Sequence, residues 1–397
     1  MCAMRSIELF AGAGGLALGM SRAGFEHAAI IEWNKDACDT IIQNRRRRVA
    51  HVGTWPIPQQ LDARQFDFRD LTKEEMFVIS GGPPCQPFSM GGNAQGNQDN
   101  RDMFPQAVRA VRELQPRAFI FENVKGLLRE KFTAYLEYVL LQLSYPTITC
   151  GVKEKWTDHL SRLEQHKTAE REPVGLTYNV VFRLLNAANF GVPQKRERVF
   201  IVGFRSDLGI EWNFPEHTHS EEALLISKWV TGEYWDRHGI ASRKRPLPPE
   251  KSRTRISQLA LRHSQGKLLP ALAPWQTVRD AISDLPDPIG SAETGILNHE
   301  FNAGARAYPG HTGSPLDEPA KTLKAGDHGV PGGENMVALP DGSVRYFTVR
   351  EAARLQTFPD RYAFHGSWTE TMRQLGNAVP VKLAETVAKS VADVLAS

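Results

Sequence analysis

The sequence predicts an α/β protein: a mostly parallel sheet with helices on both faces, joined to a second, smaller and irregular domain. Three observations carry this. Short apolar segments at residues 6–10, 28–32, 77–80, 118–122 and 199–204 read as buried strands. The stretches 15–23, 36–44, 104–114 and 132–143 lie between them and read as helices. After residue 205 prolines and glycines become dense and regular periodicity fades. Strands apolar throughout, alternating with helices, need cover on both faces, and ligands of such sheets sit outside the carboxyl ends of the strands.

At 397 residues the chain is too long for one ordinary domain and suits two. The expected division is a discontinuous domain of residues 1–205 and 346–397, and a second domain of 206–345. The charged stretch 151–175 breaks the alternation and reads as a solvated insertion holding at most one amphipathic helix. Near the C-terminus Thr348-Val349-Arg350-Glu351 is a capping box, with hydroxyl and carboxylate placed to satisfy the first free amides of a helix over 349–356. That helix stops at Phe358-Pro359-Asp360, and a last helix is expected over 381–395. There is no internal repeat and no low-complexity tract.

Composition narrows the class. Hydrophobic residues make up 41% and charged residues 23%, as in globular proteins, and 48 Lys+Arg against 45 Asp+Glu leave a net charge of +3. That balance excludes a highly basic tail or an acidic disordered chain but permits a local basic patch. Between residues 237 and 267, Arg237, Arg243, Lys244, Arg245, Lys251, Arg253, Arg255, Arg262 and Lys267 face Glu250 as their one acidic neighbour in sequence. Such a run is either a solvated face or a surface that contacts phosphates. No apolar run is long enough to span a bilayer, and residues 1–7 lack the pattern of a secretion signal. Cys2, Cys38, Cys85 and Cys150 lie far apart with no C-x-x-C pair, which argues against a disulfide scaffold or structural zinc and suits a reducing cytoplasm.

Four segments carry chemistry. In the first, Ile7-Glu8-Leu9-Phe10-Ala11-Gly12-Ala13-Gly14-Gly15, a strand ends in a glycine turn that allows positive φ and close approach of a ligand. Glu32 closes the next strand, placed to accept ribose hydroxyls, and Trp33 beside it offers a ring for adenine to stack on. Together these suggest an adenosine-type cofactor without choosing among nicotinamide, flavin and S-adenosylmethionine; a tight turn with no ligand is the plainer alternative. In the second, Gly81-Gly82-Pro83-Pro84-Cys85-Gln86-Pro87, glycines and prolines deliver a cysteine onto a stiffened loop, as a nucleophilic thiolate requires. Cys2, Cys38 and Cys150 lack such a setting and read as packing residues. In the third, Glu122 emerges at the end of the apolar run 118–121, where burial would raise its pKa. In the fourth, Gln194-Lys195-Arg196-Glu197-Arg198, alternation puts Arg196 and Arg198 on one face, pointing into a site or remaining surface charges.

On these residues the chain resembles the DNA cytosine-5 methyltransferases of bacterial restriction–modification systems. Six segments carry the resemblance in the family's order: Phe10 to Gly15, Gly81 to Ser89, Glu122-Asn123-Val124, Gln194 to Arg198, Arg350 to Asp360, and Gln374-Leu375-Gly376-Asn377-Ala378-Val379-Pro380. The resemblance implies a Rossmann-like sheet that binds S-adenosylmethionine, releases S-adenosylhomocysteine and uses no metal. It implies Cys85 as nucleophile, Glu122 at cytosine N3, Arg198 at the cytosine carbonyl oxygen and Arg196 in the same pocket. Phe10, Gly12 and Gly14 would lie toward the methionine side of the cofactor, Glu32 at its ribose and Trp33 at its adenine, with Gly15 also binding the cofactor. Asp62, with Asp70 as second choice, would meet the adenine amino group, and Asn377 would complete the pocket. The 206–345 region corresponds to the family's variable target-recognition part. The implied partner is double-stranded DNA; a monomer is expected, and any cognate restriction endonuclease would act separately.

Three other readings compete. A nicotinamide oxidoreductase explains the glycine turn and Glu32 but leaves Cys85 and Glu122 without roles. A tRNA cytosine methyltransferase on the same scaffold would normally lack so long a recognition region. A non-catalytic binding module would have no need of Cys85, Glu122 and Asn377.

Overall fold

The computed structural model describes residues 4–71, 78–84, 102–169, 175–266, 272–289, 295–325 and 335–397. Seven strands, β1 (Met4–Leu9), β2 (Phe25–Glu32), β3 (Gln59–Gln60), β4 (Val78–Gly81), β5 (Ala118–Val124), β6 (Tyr178–Asn186) and β7 (Glu197–Arg205), form one sheet in the order β3-β2-β1-β4-β5-β7-β6. The first five pair in parallel, and β7 runs antiparallel to β5. In register, Leu9 lies opposite Ile31 and Gly81, and Gly81 opposite Phe121. The ends of β1, β2 and β4, before Phe10, Trp33 and Gly82, therefore line up at one end of the sheet with Glu122, which lies near the end of β5.

The sheet helices are α1 (Gly15–Arg22), α2 (Lys35–Arg46), α3 (Phe104–Leu114), α4 (Thr133–Ser144) and α5 (Trp156–Thr168). Ile7, Leu9, Ile79, Phe119, Phe121, Val199 and Ile201 pack with Phe104, Val111, Leu136 and Val139 in one buried cluster. The expected strands and helices are all present, with ends moved by up to three residues. Strand β6 was not expected. Its Val180 to Leu185 run shows no strict alternation, with Arg183 interrupting apolar residues, and Val181 and Phe182 are exposed. The 151–175 stretch does hold one helix, α5, but is more than a solvated insertion. Leu163 and His159 are buried, with the His159 ring bonded to the Tyr138 hydroxyl (2.9 Å) and the Ile148 carbonyl (2.9 Å).

The chain divides into two compact units, Met1–Leu185 with Glu197–Pro215 and Phe358–Ser397, and Asn186–Arg196 with Glu216–Thr357. The second holds α6 (Glu221–Trp229), α7 (Glu233–Arg237), α8 (Arg253–Ser264), α9 (Val278–Ile282) and α10 (Val349–Leu355), with strands of two or three residues. Helix α10 opens on the expected capping box: the Thr348 hydroxyl accepts from Glu351 N–H, and the Glu351 carboxylate accepts from Thr348 N–H. It belongs to the second unit rather than, as its sequence position suggested, the first. Arg350 donates to the Leu297 carbonyl (3.0 Å) and Arg354 to that of Ala281 (3.1 Å). Helices α11 (Trp368–Asn377) and α12 (Val381–Ala396) return to the first unit. There α12 packs so close to α1 that a Cβ on Gly19 would lie 2.4 Å from that of Ala384. Among the described residues no helix is long and apolar enough to cross a membrane.

Within β1, Glu8 alternates with Ile7 and Leu9 and is fully buried, with the Ser80 hydroxyl donating to it. Burial pushes its carboxyl up to about 8 from the usual 4.5. The folded protein therefore holds a proton that the unfolded chain releases between those values, so rising pH favours unfolding across that window. Glu8→Gln should flatten the fall in stability between about pH 5 and about pH 8, measured as urea midpoints. Parallel curves for the two proteins would show that Glu8 is ionised in the fold.

Candidate active site

The glycine turn is built from beneath. The Tyr362 hydroxyl donates to the Ala13 carbonyl (2.6 Å), and Gly14 N–H closes the turn on the Ala11 carbonyl (2.9 Å). Phe10 has φ 55° and Gly12 φ 53°, the left-handed region. A non-glycine residue there carries strain of order 1 kcal/mol or more, and such strain clusters at ligand sites. The space beside Gly12 is open, with no atom within 4 Å of where a Cβ would stand. At Gly14 and Gly15, both expected at the cofactor, protein fills the space a side chain would take. A Cβ on Gly14 would lie 3.0 Å from the Trp55 ring, and one on Gly15 would lie 2.3 Å from the Val379 carbonyl oxygen. They are small because α1 must start against the segment after α11, which also brings exposed Asn377 beside the turn.

At the end of β2 the buried Glu32 carboxylate accepts two backbone amides, Gly12 N–H and Asn34 N–H, both at 2.7 Å. Burial raises its pKa and these bonds oppose the rise. Two amides leave a carboxylate further acceptor sites for vicinal hydroxyls. Trp33, the next residue, is 72% exposed, as a stacking platform must be. Asp62 follows β3, whose Gln60 pairs with Glu32, and caps a short turn over Ala63–Gln65. Its carboxylate is held by Arg64, which keeps it below the usual carboxylate range. An acidic acceptor, an exposed indole and an open glycine turn at adjacent strand ends fit the adenosine and methionine parts of S-adenosylmethionine. Asp36, Asp39 and His365 bring ligand-type atoms within 4.8 Å of one another at partly exposed positions, an ordinary surface cluster of charges.

The second half of the site stands on β5 and β7. Glu122 pairs in register with Phe200, and Arg198 with Val124, so Glu122 and Arg198 are diagonal neighbours on one face. Arg198 Nε lies 2.7 Å from Glu122 Oε1, with the side chains 11% and 9% exposed. The surroundings of Glu122 are thus not purely apolar, as its strand suggested, but hold a buried countercharge. Burial pulls the Arg198 guanidinium below its usual value, and Glu122 opposes this. The Pro-Pro segment passes directly over the pair: a Cβ on Gly82 would lie 3.2 Å from Glu122 Oε2, and Asn123 Nδ2 donates to the Pro83 carbonyl (3.0 Å). Cys85 comes one residue after Pro84 and lies outside the described residues, as do residues 86–101. Cys38 is buried, and burial pushes its thiol up to about 12; Cys150 is exposed, with its thiol also raised.

Arg196 parts from Arg198. It is fully buried in the second unit and donates to the Leu323 carbonyl (2.9 Å). With Gln194, whose Oε1 accepts Leu323 N–H (3.0 Å), and Lys195, whose carbonyl accepts the Thr322 hydroxyl (2.7 Å), it stitches 194–196 to 320–323. No local signal marks Thr322 or Leu323 as partners. The basic cluster is also partly spent on partners from outside its own window. Arg237 pairs with Asp280 (2.7 Å), Arg245 with Asp236, and Arg255 with Glu221 (2.7 Å). Arg243, Lys244, Lys251, Arg253 and Arg262 are exposed and make no ion pair among the described residues.

The sheet order and the groups at its strand ends define the class: the Rossmann-like fold of S-adenosylmethionine-dependent methyltransferases. Comparison with known proteins narrows it. The pattern of the C-5 cytosine-specific DNA methylase family matches residues 4–145 and 158–393, passing over part of the charged insertion. The Type II methyltransferase M.AplI of Arthrospira platensis is 31% identical over 388 residues, 97% of this chain and 84% of that protein. M.Eco47II of Escherichia coli, also a Type II methyltransferase, is 31% identical over 98% of this chain and 79% of its own. Among solved structures, a prophage-encoded Escherichia coli chain assigned as a DNA modification methyltransferase has TM-score 0.59 at 20% identity, covering 99% of this chain and 100% of that one. The Dnmt2 methyltransferase of S. pombe has TM-score 0.55 at 16% identity, covering 99% and 98%. The chain belongs to the C-5 cytosine-specific DNA methylase family. It is a DNA (cytosine-5) methyltransferase, neither a nicotinamide oxidoreductase nor a bare binding module.

Removing one partner of a buried pair leaves the other charge uncompensated. Arg198→Met should therefore lower stability by about 3 kcal/mol at neutral pH, and by less in acid, where an uncompensated carboxylate takes up a proton. Denaturant titration at both pH values checks this. A loss that does not shrink in acid would mean Arg198 acts through packing alone.

Proposed function

We propose that this protein methylates C5 of a cytosine flipped out of a specific duplex DNA sequence, with Cys85 as covalent nucleophile, and that it marks DNA against a cognate restriction endonuclease. The observation that carries the reading is the buried Glu122–Arg198 pair beneath Gly82 and Pro83, two residues short of Cys85. Cytosine C5 is a poor nucleophile until a sulfur adds at C6, and that addition needs the ring's N3 and carbonyl oxygen to be held by groups able to stabilise the added charge. Glu122 holds or protonates N3, and Arg198 donates to the carbonyl oxygen. Because C6 is inaccessible inside a duplex, the base must leave the stack.

The Cys85 thiolate adds to C6 and gives an enamine with electron density at C5. S-adenosylmethionine supplies, when bound, the sulfonium methyl that C5 takes up, and leaves as S-adenosylhomocysteine. Loss of the C5 proton and expulsion of the cysteine sulfur restore the aromatic ring. Glu32, Trp33, Phe10, Gly12 and Asn377 hold the cofactor, with Asp62 near the adenine. Gly14 and Gly15 serve that site by letting α1 start where it does. Arg196 supports the segment that leads into Arg198, its guanidinium donating to the Leu323 carbonyl. The second unit reads the target sequence, and the exposed Arg243, Lys244, Lys251, Arg253 and Arg262 contact phosphates or guanine edges. Relatives named as Type II methyltransferases along nearly the whole chain support the protective role.

DNA carrying 5-fluorocytosine at the target blocks the final proton loss, so the wild-type enzyme should form an adduct that survives denaturation. Cys85→Ser should form none and lose turnover while keeping its affinity for S-adenosylmethionine within about twofold. An active enzyme that leaves no adduct would contradict the covalent route.

A further inference from the structure

Helix α8 is attached to the second unit along one side only. Ile256 and Leu259 are its buried residues, and Arg255 ties it to α6 through Glu221 (2.7 Å) and Glu222 (3.4 Å). The opposite side carries Thr254, Gln258 and Leu261 at the i, i+4, i+7 spacing of one helix face, with Arg262 beside them. All four are exposed, Leu261 by 59%. The Gln258 and Arg262 side chains make no hydrogen bond or ion pair among the described residues.

A solvated helix face ordinarily mixes charges of both signs, as α5 does with Asp158, Arg162, Glu164 and Lys167. On α8 that mix is absent: no aspartate or glutamate occurs anywhere from Lys251 to Gly266. A face of amide, guanidinium and methyl groups without a carboxylate is complementary to DNA, whose phosphates repel anions and whose major groove admits an α-helix. Its groups also match base edges. Glutamine pairs with adenine N6 and N7, arginine with guanine O6 and N7, and an apolar side chain meets the thymine methyl.

We infer that α8 is a recognition helix: Gln258, Leu261 and Arg262 read base edges in the major groove of the target duplex, while Lys251 and Arg253 hold its backbone. The inference rests on the second unit being the part that reads sequence. Gln258 and Arg262 stand one turn apart, about 5.4 Å, against about 3.4 Å per base pair, so the positions they read lie within about two base pairs of each other.

The test is methylation of a duplex library of random sequence, read by methylation-sensitive sequencing. Gln258→Ala and Arg262→Ala should each lose about tenfold in discrimination at one base pair, the two positions being neighbours as above. Lys251→Ala should instead lower kcat/KM evenly across all sequences and weaken its dependence on salt. Affinity for S-adenosylmethionine and melting temperature should stay near wild type in all three, because each side chain is exposed. Unchanged base preferences in both Gln258→Ala and Arg262→Ala would overturn the inference. So would a loss spread evenly over all sequences, or relaxed positions far apart in the target. A wild-type enzyme that methylates cytosines regardless of flanking sequence would overturn the sequence-reading role of the second unit instead, before any variant is compared.

Discussion

The antiparallel register of β7 on β5 is the constraint from which the reacting half of the site follows. Five parallel strands end at one edge, which by itself brings a glycine turn, an acidic acceptor and a Pro-Pro segment together. A sixth parallel strand would end there too and carry its first residues away to the other edge. Running β7 the opposite way instead brings its beginning to that edge, so Arg198 arrives diagonal to Glu122. A carboxylate and a guanidinium 2.7 Å apart in an interior of low polarity are costly to desolvate, and fold stability alone gives little reason to keep them. Holding a pyrimidine by its nitrogen and its carbonyl oxygen, the roles proposed for Glu122 and Arg198, gives a reason.

The half of the site proposed to hold the cofactor is built by a different device. Its groups sit on three strand ends and at the end of α11, and what aligns them is closeness of packing. Gly15 accepts the Val379 carbonyl at a distance no side chain would permit, and Tyr362 reaches under the turn to Ala13. The C-terminal segment is therefore part of the site's foundation, although about 360 residues of chain separate it from the turn it supports.

Local signals were legible in the sequence. Short, mainly apolar runs marked β1, β4 and β5, and the Thr348/Glu351 box fixed the start of α10 to the residue. Contacts across long chain separations were not legible. Nothing in Gly14-Gly15 distinguishes a glycine that faces a ligand from one that faces Val379, and nothing in Arg196-Glu197-Arg198 announces that alternate arginines serve different units. Arg237, Arg245 and Arg255 looked unopposed because their carboxylates, Asp280, Asp236 and Glu221, lie outside residues 237–267. Strand β6 lacked the alternation that marks a half-buried strand.

In the proposed reaction Glu122 acts on the base rather than merely neutralising Arg198. The most direct measurement is the single-turnover rate of methyl transfer to duplex DNA by Glu122→Gln with saturating S-adenosylmethionine. A group that delivers or holds a proton in the transition state contributes about a hundredfold or more, so the account expects a loss of at least that size with cofactor affinity retained. A glutamine enzyme that transfers methyl at the wild-type rate would contradict it.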